Sequence, residues 1–566
     1  MAKFSIPSDA ENVIMIPLGG CGNIGKNLML YCYKNTWIML DCGASFSEER
    51  ITPGADIIVP DISFIRNNKI PISAIVLTHV HEDHVGAVSH FIKDLKCPVY
   101  GTKFALEFLK LRLQDRLGDY SDVKMKEIKS AEIKIGNFTI EPVFLTHSIP
   151  EMHGIFIKGG DVKIFHTGDW KFDESPVVGE KSDFSKLEKI AKEGVTAVVC
   201  DSTNVLSEGR SQSEGELEHN LYNIVENQKG MVLVTTFASN VARIQTLCNV
   251  AKRTGRVVGL SGLSLSKITA IAKKCGYLSS ESFMDAKEAA KLPRKEVLMI
   301  CTGCQGEVLA SMAKISNNSH PIIKINAHDT VIFSSKIIPG NEKKISATMN
   351  RLADKNINVV TEREAFVHVS GHPKKDELCE LYSMLKPKIG IPVHGESVHL
   401  RAHCKLIHEK KLADKSIFVK DGDVLVVSTD DVKKVGTVFT DYLCVDGNLL
   451  LSPASKTMRE RRKIKDSGVV NLSIAIDEKL KIVNIDHRLI GLLDEANTAK
   501  AMAHIIKNAQ NHLEKYLSGL GKGAKGVLQN KANLEKIEGI ISSSVGKDIE
   551  RKFEKTPIVS VIIHEV

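Results

Sequence analysis

Residues 78–84 read THVHEDH directly after the apolar run Ala74-Ile75-Val76-Leu77. Three imidazoles and a carboxylate therefore follow a strand end within a few positions. His79 and His81 are two apart and can lean to one side of an extended loop, while Asp83 and His84 open what reads as a helix over 84–88. Neutral imidazole and carboxylate are the donors that Zn²⁺ takes when it keeps an open position for water. The spacing predicts one loop supplying two neighbouring metal ions. Further donors stand at similar places: Thr146-His147-Ser148 after the run 142–145, His166-Thr167-Gly168-Asp169 after 162–165, and Pro392-Val393-His394-Gly395. Asp169 has two carboxylate oxygens and can bridge two cations.

These residues need strand ends that converge. Strand candidates in the first 200 residues are Val13–Ile16, Trp37–Leu40, Ala74–Leu77, Val162–Phe165 and Ala197–Val199; the last four run into Asp41, Thr78-His79, His166 and Asp201. A sheet whose strand ends carry the site is common in layered α/β proteins. From Ser211 the pattern alternates helices (Glu216–Glu226, Asn240–Lys252) with strands (Met231–Val234, Arg256–Val258, Glu296–Ile300, Val331–Phe333), which predicts a parallel-sheet insert. Metal-type residues return in HVSGH at 368–372 and PVHGE at 392–396. Near 455 a third region begins. Its basic run TMRERRKIK at 457–465 reads as a connection, followed by an alternating strand over 469–474. An amphipathic helix follows over Thr498–Leu517, with Ile505, Ile506, Ala509, Leu513 and Leu517 on one side. A Gly/Lys loop at Gly519–Gly526 and a strand over Pro557–Ile563 close the chain. The expected division is 1–210 and 365–450 as one core, 211–364 as the insert, 451–466 as a linker and 467–566 as a C-terminal α+β domain.

At 566 residues the chain suggests two to four domains, and 43% hydrophobic with 25% charged residues is ordinary globular composition. The opening stretch lacks a basic region followed by a long apolar one, and no apolar run approaches about 18 residues, so neither a signal peptide nor a membrane span is expected. Twelve scattered cysteines fit reduced thiols and a cytoplasmic location, and Cys301-x-x-Cys304 has no second pair to make a structural zinc site. The net charge of +8 permits a polyanion partner without proving one, and 5% aromatic residues argue against extended base-stacking platforms.

The order HxHxDH, His, Asp, His resembles the metallo-β-lactamase fold, an αββα sandwich that collects ligands from strand-end loops. Asp201-Ser202-Thr203-Asn204 followed by SEG at 213–215, His372 and His394 resemble the three motifs of the β-CASP nucleases within that fold. GGCGNIGKN at 19–27, DCGASF at 41–46, PGADIIVPD at 53–61, TTFASNVARIQ at 235–245, FSSKIIPGNE at 333–342 and HVSGH resemble the ribonuclease J family over nearly the whole chain. Asn23, Ala242, Cys304 and Val308 depart from the family's usual residues and bear on substrate detail.

The resemblance implies two Zn²⁺ per chain, with Mn²⁺ or Mg²⁺ as substitutes. One would be held by His79, His81 and His147, the other by Asp83, His84 and His394, with Asp169 bridging. It implies a zinc-dependent ribonuclease with 5′-to-3′ exonuclease activity on 5′-monophosphorylated single-stranded RNA, with some endonuclease activity, in RNA maturation and decay. His372 would be the general acid, oriented by Asp201, with Asp83 also touching the attacking hydroxide. Ala238-Ser239-Asn240 and His368-Val369-Ser370-Gly371, with His372, would hold the 5′-phosphate and first nucleotides. The insert would close over the core so that RNA enters as a single strand. Arg243, Lys336 and the 457–465 run are further candidates for phosphate contacts. Homodimers or homotetramers through the C-terminal region are also expected. The competing readings are a hydrolase of small esters and a non-catalytic RNA-binding scaffold.

Overall fold

The computed structural model describes residues 11–338, 340–520 and 526–566, without the side chains of 495–498. The opening residues of the chain, Pro339 of the FSSKIIPGNE motif and the middle of the Gly/Lys loop lie outside the described residues. The chain forms two compact units, one reaching Ser45 and resuming at Val59–Asp441, the other comprising Phe46–Ile58 and Tyr442–Val566.

In the first unit an eight-stranded and a seven-stranded sheet face each other. Their strands alternate. In Phe138–Phe144, His153–Gly159 and Val162–His166, Ile140, Ile155 and Ile164 point into the core shared with Met15, Tyr31, Ile38 and Val76 of the other sheet. Their neighbours Val143, Phe156 and Phe165 point the other way, onto the helices Phe184–Glu193, Lys375–Leu385 and Ser397–Lys410. This period of two, apolar on both faces, is what a sheet covered on both sides requires.

The topology sets where the chemistry falls. In the seven-stranded sheet Phe138–Phe144 and Val162–His166 are each antiparallel to His153–Gly159, so they run in the same direction. Ala197–Asp201 and Ile389–Val393 continue parallel to them. The strand end Asp201 and the segments that follow the other strands, carrying His147, Asp169 and His394, therefore lie at one edge. In the other sheet Thr36–Leu40 and Ile72–Val76 are parallel neighbours, which brings Asp41 beside Thr78.

The insert is a six-stranded parallel sheet with strand order Met284–Asp285, Val257–Ser261, Val297–Cys301, Val232–Thr235, Thr330–Phe333, Asn358–Val360. Its central strands are buried along their whole length, hence their unbroken apolar runs. The expected αββα sandwich with a parallel-sheet insert is the architecture observed.

In the second unit Val469–Ile476 is antiparallel to Ile482–Ile490 and parallel to Ile558–Glu565. Val470, Leu472, Ile474 and Ile476 face Ile505, Ala509, Leu513 and Leu517 of the helix Glu495–Ser518, and Ile537, Ile541, Val545 and Ile549 of the helix Lys531–Phe553. Each such Val, Leu or Ile side chain contributes about 1.5–3 kcal/mol by leaving water. The basic run read as a connection is a helix, Lys456–Ser467, capped by the Ser455 hydroxyl and buried only at Met458 and Ser467.

Candidate metal centre and active site

Asp41, in the left-handed region at φ 59°, organises the 78–84 loop. One of its oxygens accepts the Thr78 backbone N–H at 2.8 Å; the other accepts the Thr78 hydroxyl at 2.8 Å and the His84 Nδ1–H at 2.7 Å. With its own proton given to Asp41, the Thr78 hydroxyl accepts His79 Nδ1–H at 3.0 Å. His147 Nδ1–H donates to the Gly371 carbonyl at 2.6 Å. Three tautomers are thus set, with each Nε2 left as an acceptor, which is how metal-binding histidines are usually oriented; that of His84 also lies 3.0 Å from the Asn27 amide Nδ2.

Two other stretches clamp the same loop. The Asn27 backbone N–H donates to the Asp83 carbonyl at 2.9 Å, and its amide Nδ2 to the same carbonyl at 3.0 Å. Cys42 N–H donates to the His84 carbonyl at 2.7 Å and Ala44 N–H to that of Glu82 at 2.8 Å. Gly43 is obligatory there, since a Cβ would sit 1.6 Å from the Asp83 carbonyl oxygen.

The freed nitrogens converge. His81 Nδ1 lies 3.0 Å from His79 Nε2 and 3.0 Å from His147 Nε2. The His79 and His147 nitrogens carry lone pairs, so either the His81 Nδ1 proton or a cation must lie among the three. Tetrahedral Zn–N bonds of 2.0–2.1 Å place their nitrogens about 3.3 Å apart, so the spacing fits. In a second group, His84 Nε2 is 3.1 Å and His394 Nδ1 3.2 Å from Asp169 Oδ1, and Asp83 Oδ2 lies 3.6 Å from His84 Nε2. Asp169 Oδ1 and His394 Nδ1 are buried without a hydrogen-bond partner. The other Asp169 oxygen lies 3.9 Å from His79 Nε2, so this carboxylate stands between the two groups. His79, His81, His147 and Asp169 form one set able to hold a metal ion, and Asp83, His84, Asp169 and His394 another. Burial opposes charge on Asp169, yet His394 and His84 hold it well below the usual carboxylate range. Burial likewise opposes charge on His84, but Asp169, Asp83 and Asp41 raise it well above the usual histidine range. The pocket demands positive charge, which a proton or a bound cation can meet.

Asp41→Asn removes the charge that orients His84 and Thr78 while keeping side-chain size. It should weaken metal binding about 10–100-fold, read by chelator competition, with little change in the circular dichroism spectrum.

Beside the cluster, His372 Nδ1–H donates to Asp201 Oδ2 at 2.7 Å. Asp201 is fully buried, and its other oxygen accepts the Thr203 N–H and hydroxyl at 2.8 and 2.7 Å. Burial lowers the His372 pKa, but the Asp201 carboxylate outweighs it and pushes the imidazole up to about 9. The His372 ring centroid is 5.2 Å from that of His147 and 5.6 Å from that of His394.

The 368–372 stretch is held from several sides. Asn204 Nδ2 donates to the Ser370 hydroxyl at 2.7 Å, and the Ser211 hydroxyl donates to the His372 carbonyl at 2.6 Å. A Cβ on Gly371 would come within 2.6 Å of the His147 ring. His368 Nδ1 is buried without a partner, and its pKa is held well below the ordinary range by burial, then by Arg243, Lys336 and Lys171. Of these cations Arg243 is paired with Glu214 and Lys171 with Asp173 at 2.8 Å, which leaves Lys336 to face an anion. Val369, Ser370 and Gly371 line a small cavity with His147 and Ala242. Ala238, Ser239 and Asn240 immediately precede Ala242's helix, Val241–Arg253, but among the described residues no hydrogen bond joins them to 368–371. Asn240, rather than Ser239, caps that helix, accepting the Arg243 N–H at 2.8 Å.

Arg243, a candidate for phosphate contact, is instead wholly buried. It donates to both oxygens of Glu214 at 2.6 and 3.0 Å, to the Ser334 hydroxyl at 2.6 Å and to the Val367 carbonyl at 3.4 Å. A buried guanidinium is stable only with such partners. It ties the start of the HVSGH stretch to the insert instead. Lys336 is exposed and donates to Asn204 at 3.3 Å. His166 bonds Tyr31 at 2.8 Å and joins neither ligand group. The amide of Asn23 donates to Asp421 at 2.8 Å, where an acidic side chain would face another carboxylate.

Three family models match this chain: the metallo-β-lactamase superfamily over residues 22–180, the ribonuclease J β-CASP domain over 229–352, and the Zn-dependent metallo-hydrolase RNA specificity domain over 356–419. Ribonuclease J of Sinorhizobium meliloti is 34% identical over 98% of both chains. Ribonuclease J of Helicobacter pylori strain B128 is 32% identical over 99% of this chain and 80% of its own. Ribonuclease J2 of Bacillus subtilis is 33% identical over 84% and 85%. A solved Enterococcus faecalis V583 protein of unknown function shares the fold, with a TM-score of 0.50 at 16% identity over 74% of this chain and all of its own. The superfamily match and the two ligand groups together imply use of a divalent metal. No helix among the described residues is long and apolar enough to cross a membrane.

Proposed function

We propose, because this chain belongs to the ribonuclease J family of RNA-cleaving hydrolases, that it is a zinc-dependent ribonuclease working 5′ to 3′ on 5′-monophosphorylated single-stranded RNA, with internal cleavage as a second mode. The observation that carries this reading is that one stretch, 368–372, touches the metal cluster, lines a small cavity and ends in His372, which is bonded to Asp201. Its Gly371 carbonyl accepts from His147 of the metal cluster, and its Ser370 lines the small cavity beside that histidine, to which this reading assigns the terminal phosphate together with His368. Its last residue, His372, supplies an acid.

Two Zn²⁺ held by His79, His81 and His147 on one side and Asp83, His84 and His394 on the other, bridged by Asp169, would supply a water of lowered pKa and charge at the phosphate. The protein does the rest. Asp83, the more exposed carboxylate of the cluster, accepts a hydrogen bond from the attacking oxygen. His372 gives its Nε2 proton to the leaving 3′-oxygen, and Asp201 keeps Nδ1 occupied so that Nε2 faces the substrate. The neutral His368, Ser370 and the backbone around Ala238-Ser239-Asn240 at a helix start favour a compact dianion.

The proposed setting is RNA maturation and decay in the cytoplasm, in a homodimer or homotetramer. The outer strands Ile482–Ile490 and Ile558–Glu565, with Val483 and Ile562 exposed, support assembly through the C-terminal region. A scaffold that had lost catalysis would be expected to lack ligands, whereas both groups are complete. The test compares kcat/KM for one RNA sequence bearing a 5′-monophosphate, triphosphate or hydroxyl. The monophosphate should be preferred at least about tenfold, and Ser370→Ala should narrow that preference. Equal rates on all three ends would remove the phosphate-pocket assignment.

A further inference from the structure

The basic run at 457–465 divides by face. Arg461 binds both oxygens of Asp446 at 3.0 and 2.8 Å, Arg462 donates to the carbonyls of Ile51 and Pro453 at 2.6 and 3.0 Å, and Lys465 reaches Glu49 at 3.3 Å. These side chains knit the second unit together. The other face carries Lys456, Arg459, Glu460 and Lys463, spaced i, i+3, i+4 and i+7, and lines a groove of about 530 Å³. Across the groove stands the helix Lys531–Phe553 with Lys547 and Glu550.

Lys456 pairs with Glu460 at 3.7 Å. Among the described residues, Arg459, Lys463 and Lys547 have no ion pair and no side-chain hydrogen bond. Like charges gathered around a concavity repel one another and focus an attractive field on anions. The exposed Ser543 adds a hydroxyl donor beside Lys547. No aromatic side chain lines the groove, so bases find no stacking platform. Contacts of this kind position a phosphate backbone without reading sequence.

We propose that this groove is a second RNA-contact site, in which Arg459, Lys463 and Lys547 hold about three phosphates of a single strand, independently of sequence and of the 5′ end. The proposal rests on RNA being the substrate but not on the direction of cleavage. The test uses the full-length, metal-loaded protein in a His372→Ala background and a 40-nucleotide RNA whose 5′ end is blocked by fluorescein. Binding is followed by anisotropy across salt concentrations, with and without Arg459→Glu/Lys463→Glu/Lys547→Glu. The triple variant should weaken binding about tenfold or more near 0.1 M salt and flatten the log K against log salt slope by about 2. With His372 intact, the triple variant should hydrolyse bis(p-nitrophenyl) phosphate as the wild type does, since the metal cluster lies in the other unit. Should the charge reversals unfold the second unit, the matching triple-alanine variant decides by the same slope. Unchanged affinity and slope overturn the proposal. Unchanged RNA binding with an altered sedimentation coefficient also overturns it, and makes the groove a protein interface. Failure of 5′-end discrimination in wild type would count against the exonuclease reading and leave this measurement standing.

Discussion

Asp169→Ala should empty both proposed metal positions at once and lower RNA cleavage by at least about 10⁴-fold, the loss expected when charge stabilisation and the activated water vanish together. One Asp169 oxygen faces His84 and His394, the other faces His79, and no other side chain belongs to both ligand groups. Elemental analysis after exhaustive dialysis should give two metal ions in wild type and well under one in the variant. His147→Ala, which touches one group only, should retain about one. Retention of both ions by Asp169→Ala, with an unchanged circular dichroism spectrum, would contradict the bridging role.

The second large effect is at His372. His372→Ala should lower kcat about 10²–10⁴-fold while leaving metal content and substrate affinity near wild type. The acid must be protonated to serve the leaving oxygen, so kcat falls as pH rises through its pKa. Asp201 raises that pKa, to about 9, and cations bound at the neighbouring ligand groups would oppose the proton and lower it. Asp201→Asn removes the stabilising charge. The alkaline limb of the kcat profile should then move to lower pH by about 1–3 units. A limb that stays in place would make Asp201 a structural partner only.

The metal cluster is legible in the sequence because its donors sit immediately after apolar runs, and strand direction alone carries them to one edge. The C-terminal helix is legible for a similar reason, since Ile505, Ala509, Leu513 and Leu517 repeat at the helical period and are buried. What could not be read depends on contacts between distant strands or on the backbone. Asp41 stands out as a strand-end carboxylate, but its hold on Thr78 and His84 exists only because two strands pair in parallel. Gly371 acts through its carbonyl, which no side-chain motif announces. Asn27 falls in a stretch conspicuous for its glycines, and its grip on Asp83 needs the fold. Arg243 misleads because a cation at a helix start resembles a phosphate ligand, whereas Glu214, in the first turn of another helix, takes it into the interior. The 457–465 run hides a helix because only two of the helix's side chains are buried, so its apolar period is too faint to see. Lys103–Leu117 and Lys531–Phe553 are further helices, and in the second Ile537, Ile541, Val545 and Ile549 repeat every fourth residue.

The central claim is tested most directly by following the lengths of all products from one 5′-monophosphorylated, uniformly labelled single-stranded RNA cut by the zinc-loaded protein. Mononucleotides from the earliest time point, with the remaining strand shortening progressively from its 5′ end, are the predicted result. Internal fragments without mononucleotides, or no cleavage at all with both metal positions filled, would contradict it.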